Sequence, residues 1–180
     1  NYAIVITTNG GLWRYKIGDT VRFTSKNPYR IKVTGRTKHH INVFGEELII
    51  ENAEAALKKT ISEIACSIKD YTVAPVFMDG KEKGAHEWMI EFDTQPDDVS
   101  AFAKALDQNL QRENSDYEAK RANNITLTEL RIHNAKPDLF YNWLKQKNKL
   151  GGQHKIPRLS NSRDYMEELL QINKVMASKS

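Results

Sequence analysis

The sequence predicts an α+β fold in which small mixed or antiparallel sheets carry packed helices, preceded by a short β-hairpin region. Three observations lead there. Apolar residues alternate in short runs through the first 34 positions, broken by glycine pairs. Helical spacing begins near residue 51, and a second pair of alternating runs at 71–78 and 87–92 is followed by further helical patterning. With 180 residues, 39% of them hydrophobic, the chain is able to bury a core.

The elements follow in order. Strands are predicted at 3–8, 12–17, 20–24 and 30–34, with turns at Gly10-Gly11 and Gly18-Asp19. A tight hairpin at 40–50 turns around Phe44-Gly45. In the first helix Ala53, Ala56, Leu57, Thr60, Ile61, Ile64 and Ala65 keep helical spacing, and Glu51 and Glu54 suit the positive end of its dipole. The runs 71–78 and 87–92 read as an antiparallel pair joined by a charged turn at 79–84. Helices near 97–111 and 117–121, a strand at 128–133 and a helix at 137–147 cover them, with Leu139, Trp143 and Leu144 on one side. The last helix spans 162–173, with Asn161 as its expected cap.

Two places carry chemistry. Residues 151–160 read GGQHKIPRLS: Gly151 and Gly152 permit unusual backbone angles, Pro157 fixes φ, and Gln153, His154, Lys155 and Arg158 supply donors and positive charge. Such a tip suits an anion, phosphate or carboxylate, although a solvated basic connection has the same composition. The other place is YKIGD at 15–19, where Asp19 is expected to sit at a strand end. A carboxylate there accepts hydrogen bonds from vicinal hydroxyls, as in ribose recognition, but a Gly-Asp pair is also an ordinary turn.

Composition narrows the classes. The lone cysteine, Cys66, excludes a disulfide framework, fits a reducing compartment and reads as a packed hydrophobe. No apolar stretch approaches the roughly 20 residues of a membrane span, and no signal-peptide pattern opens the sequence, so a cytoplasmic protein is expected. The net charge of +4 gathers at Lys26, Arg30, Lys32, Arg36 and Lys38 and around Lys155, which favours polyphosphate over a nucleic-acid track. The histidines show no metal-ligand spacing, and no metal site is expected. The absence of an initiator methionine and the start inside a strand predict a piece of a longer protein.

YKIGD, then GRTK from Gly35, a Gly-rich hairpin and an acidic helix start together resemble the C-terminal third of an adenylate-forming enzyme. The ending GGQHKIPRL, with DYEAKRANN from Asp116 and FYNWLKQKNKL from Phe140, is similar to the Gretchen Hagen family of acyl acid amido synthetases, and to its bacterial branch. That resemblance implies an ATP- and Mg²⁺-dependent ligase joining a small-molecule carboxylic acid to an amino acid through an acyl-AMP. Residues 1–36 would end a large N-terminal adenylation part, and 37–180 would form a mobile C-terminal domain. Lys155 would be catalytic, with Gly151, Gly152 and Gln153 supporting its loop. Asp19, Arg36, Val33 and Tyr15 would bind nucleotide, and Lys38 would be the hinge. Val33 also reads as a core residue, and Lys38 as an ordinary exposed lysine. Asn42 stands where CoA-dependent relatives carry lysine, which counts against a CoA ligase. The partner of this piece would be the missing N-terminal part, with neither nucleic acid nor membrane involved, and the piece alone would be inactive.

Two other classes fit parts of the sequence. GGQ followed by histidine is also the mark of peptide-chain release factors, which hydrolyse peptidyl-tRNA, although the flanking residues differ from theirs. A non-catalytic interaction domain would account for sheet and helices and leave the motifs unexplained.

Overall fold

The computed structural model describes residues 2–36, 40–79, 83–122, 126–151 and 155–178, with the side chains of Gly35 and Arg36 excepted. An antiparallel sheet in the order β1-β2-β3 comes first, from β1 (Tyr2–Ile6), β2 (Tyr15–Lys26) and β3 (Tyr29–Arg36). The expected strands at 12–17 and 20–24 are one continuous strand, so Gly18-Asp19 is not a turn. Gly18 takes φ 89° within β2, and a register shift between Thr20 and Val21 absorbs the irregularity. Glycine tolerates that angle without a Cβ clash, which lets the ladder continue through it.

The hairpin follows as β4 (His40–Ile41) and β5 (Leu48–Ile49), paired antiparallel. Helix α1 (Ile50–Glu63) starts directly after it, and Asn52 accepts the Ile49 N–H at 3.3 Å, half of a capping box. Its buried residues are Ala53, Ala56, Leu57 and Thr60, the face that the spacing predicts. The remaining elements are β6 (Ser67–Val76), β7 (Ala85–Thr94), α2 (Val99–Glu113), α3 (Ser115–Arg121), β8 (Arg131–Asn134), α4 (Leu139–Gln146) and α5 (Asp164–Ala177). Side chains of Asp98 and Asn114 cap α2 and α3 by accepting the amides of Ser100 and Tyr117, both at 2.7 Å. Asn161 does not cap α5; Arg163 holds that place without a side-chain cap bond.

The second sheet has the order β6-β7-β8, antiparallel between β6 and β7 and parallel between β7 and β8. It is covered on both faces. Tyr71, Val73, Trp88, Ile90 and Phe92 pack with Leu57 of α1 and with Phe102, Leu106 and Leu110 of α2. Ala74 and Met89 point the other way, onto Leu139, Phe140 and Trp143 of α4 and Met166 and Leu169 of α5. Burial of these two apolar sets is the main stabilising term of the domain. Cys66 packs partly buried beside the first set, as a small hydrophobe.

Gly84, just before β7, lies against the ring of Phe44: a Cβ there would stand 2.5 Å from ring carbons. Gly84→Ala should therefore push Phe44 and its hairpin aside and destabilise the fold by about 1–3 kcal/mol. Urea unfolding of the chain against wild type measures this.

Candidate active-site segments

The lysine-bearing segment leaves α4 through Asn148 and Gly151, at φ 53° and 88°. It then attaches to the free edge of β6. Ile156 and Leu159 are buried, the Thr72 hydroxyl donates to Pro157 O at 2.6 Å, and Val73 N–H donates to Arg158 O at 2.9 Å. Ser160 N–H returns to Val73 O at 3.1 Å, completing a short parallel bridge. Arg158 is an anchor: it pairs with Asp70, its guanidinium lies 4.4 Å from the centre of the Tyr71 ring, and it donates to Tyr71 O. The expectation that Arg158 belongs to the anion-binding tip is thus replaced by a structural role. Lys155 is exposed immediately ahead of these anchored residues. Gly152 and Gln153 lie outside the described residues.

Asp19 is half-buried within β2, directly opposite Arg36, the last residue of β3. The carboxylate expected at a strand end instead occupies a strand interior, and it is the partner strand that ends there. Val33 is 60% exposed, so it is not core; it lines a cleft of about 280 Å³ with Arg22, Lys32, Thr34, Ile49 and Glu51. Tyr15 is exposed at the first position of β2, opposite Ile6. The structure therefore brings Asp19 and Arg36 together on the first sheet and leaves Lys155 exposed next to the segment anchored on the second. Lys38 lies outside the described residues.

Behind the Gly45 turn, at φ 81°, is a buried polar arrangement with no counterpart in the sequence reading. Glu46 is fully buried and accepts from Phe44 N–H at 2.7 Å and from the His86 ring at 2.9 Å. The His86 ring packs on Tyr117, with centroids 5.2 Å apart, and the Tyr117 hydroxyl donates to Asp107 at 2.7 Å. Arg121 also holds Asp107 through Nε and Nη2. On the opposite face of β7, Glu87 is engaged by His133 at 2.7 Å and by Arg163 at 2.6 Å. An acidic residue directly after the hairpin glycine, and His-Glu at the head of a largely apolar run, are the available signals. Asn42 is used locally: its Oδ1 accepts Glu47 N–H at 3.2 Å.

Comparison with known proteins accounts for both parts of this arrangement. Residues 1–36 match the GH3 family central domain and residues 51–164 match the GH3 family C-terminal domain. The chain belongs to the GH3 (Gretchen Hagen) family. In fold it is similar to the GH3.15 acyl acid amido synthetase, with a TM-score of 0.75 at 21% identity over 97% of this chain and 32% of that one. A second structure, the AtGH3.15 acyl acid amido synthetase in complex with 2,4-DB, gives a TM-score of 0.73 at 21% identity and the same coverage. The chain thus spans about a third of the length of these solved relatives. No curated protein matches it. Because the C-terminal match includes residues 151–153, the GGQ run stands in a GH3 context, and the release-factor reading is not favoured.

The buried carboxylates set an acid limit. Burial pushes Glu46 and Glu87 up, but hydrogen bonds and charge from His86, and from His133 and Arg163, outweigh it and hold both below the ordinary value of 4.5. With folded values depressed, their contribution is complete above the unfolded value and is lost as pH falls through the folded one. Stability should hold from neutrality to about pH 5 and decline below the ordinary carboxylate value. Glu46→Gln should cost about 1.5–3 kcal/mol at pH 7 and lose less on acidification than wild type. Denaturant midpoints of both proteins across this range check it.

Proposed function

We propose that the protein is the C-terminal part of an ATP-dependent acyl-adenylate-forming ligase that joins a carboxylic acid to an amino acid. Family membership over both matched regions is the observation that carries this reading. That a GH3.15 relative was solved with 2,4-DB supports a small-molecule acid as the acyl partner. The DYEAKRANN and FYNWLKQKNKL stretches support the bacterial branch. The first sheet ends the large adenylation part at residue 36, and 37–180 form the mobile domain. A separate sheet on each side of 37–39 supports that division. No helix among the described residues is long and apolar enough to cross a membrane; a cytoplasmic location belongs to the proposal.

In the first half-reaction an acid carboxylate attacks the α-phosphorus of ATP and pyrophosphate leaves. Two anions approach, and negative charge spreads over an in-line transition state. Lys155, held by the β6 anchor, supplies the offsetting charge, and cations placed in this way are worth roughly 3 to 4 kcal/mol of barrier. Asp19 accepts from the ribose hydroxyls, Arg36 contacts ribose or phosphate, and Val33 and Tyr15 line the nucleotide side. Mg²⁺ would be carried by the phosphates of ATP. In the second half-reaction the amine attacks the acyl carbon and AMP leaves. Rotation at Lys38 withdraws Lys155 and presents the Gly45 hairpin. The 180 residues alone lack the acyl pocket and are inactive.

Pyrophosphate exchange by the complete protein, with a panel of aromatic and aliphatic acids, tests the reading. Lys155→Ala should lower acid-dependent exchange about 100- to 1,000-fold with the fold intact; near-normal exchange would remove Lys155 from the chemistry. Lys38→Pro should slow at least one half-reaction, and unchanged rates for both would argue against a hinge at that position.

A further inference from the structure

Asn161 lies six residues after Lys155, and its carboxamide is committed to a distant piece of backbone. Nδ2 donates to His40 O at 2.8 Å, and Oδ1 accepts Asn42 N–H at 2.9 Å. A carbonyl and the amide two residues on are the groups that one edge of a strand presents to a neighbour. The other edge of β4 is taken by β5, through His40↔Ile49 and Ile41↔Leu48. Asn161 thus acts as a one-residue strand partner, which requires a donor and an acceptor side by side. Asparagine has both, aspartate only acceptors, and alanine neither.

The position of this bond pair matters more than its strength. Ser160, the preceding residue, is bonded to Val73, and Leu159 bridges the same residue, so Asn161 projects from the anchored segment that carries Lys155. Its targets open the hairpin that turns at Gly45, and that hairpin is closed by Asn42 on Glu47 and by Asn114 Nδ2 on Glu47 O at 3.3 Å. On the other side of 37–39, Arg36 is registered to Asp19 in the first sheet. Among the described residues the downstream body therefore begins at His40.

We propose that Asn161 is a positioning residue that sets the Gly45 hairpin against the Lys155 segment, within a body whose core already joins Ile41 and Leu48 to Leu159. For the kinetics this rests on the ligase reading: a rotation that removes Lys155 then delivers the hairpin through the same angle, and neither half-reaction is tuned without the other.

The test uses the complete protein as wild type, Asn161→Ala and Asn161→Asp, with amide exchange at Asn42 and single-turnover rates for adenylation and for aminolysis. Asn161→Ala should speed exchange at Asn42 about tenfold, as one lost hydrogen bond would, and leave the β7 core amides unchanged. Both half-reactions should fall by the same factor in kcat, about tenfold, with KM for ATP unchanged, because misplacement and not binding is the defect. Asn161→Asp, which can keep the bond to Asn42 but not the one to His40, should fall between. Unchanged exchange at Asn42, or loss of one half-reaction with the other at the wild-type rate, overturns the proposal. If wild type shows no acid-dependent pyrophosphate exchange, the ligase reading fails, and exchange at Asn42 decides by itself whether Asn161 binds the two segments together.

Discussion

The central strand β7 is buried on both faces for eight consecutive residues, and the domain is organised around that constraint. A polar side chain in such a strand must find a partner or pay several kcal/mol in lost solvation. Three of the eight are charged or titratable, and each draws in a different element. His86 takes Glu46 of the hairpin, Glu87 takes His133 of β8 and Arg163 at the head of α5, and Glu91 takes Lys69 of β6 and the Asp138 amide before α4. Apolar burial supplies the stability, while these pairs fix which element lies where.

The same logic explains the treatment of β6. A strand at a sheet edge presents unpaired amides and carbonyls, which favour association with other chains unless covered. Here the cover is residues 157–160, so protecting the edge and presenting the lysine are done by one stretch of backbone. Arg158, bonded to Asp70 and stacked on Tyr71, holds that stretch at its middle. Lys155 itself is exposed next to this stretch.

Where the signal was local, the sequence was legible. The Ala53-Ala56-Leu57-Thr60 face, the β6–β7 pair, the Leu139-Trp143 stripe and the Gly45 turn all follow from periodicity or from glycine, and the structure has them. The failures involve distant partners or tolerated irregularity. Gly18-Asp19 reads as a turn because a Gly-Asp pair is common in turns, but the pairing of β2 with β1 and β3 carries the ladder through it. Asn161 has the residue type and place of a helix cap, yet its partners lie at 40 and 42, and no local window contains them. Arg158 was read as a free donor for the same reason, with Asp70 far upstream. Lys155 and Asp19 are singled out by motif resemblance; composition alone leaves them as a basic loop and a turn.

The seat of Lys155 is built from residues 70–73 and 155–160, two stretches separated by most of the domain. A contact that closes so long a loop carries a larger entropic cost than a local one. In chain order that seat is completed at residue 160, after β8 and α4 and ahead of α5. Ile156 and Leu159 of the same segment belong to the two apolar cores, so the stretch that carries the lysine is also part of the packing that holds the domain together.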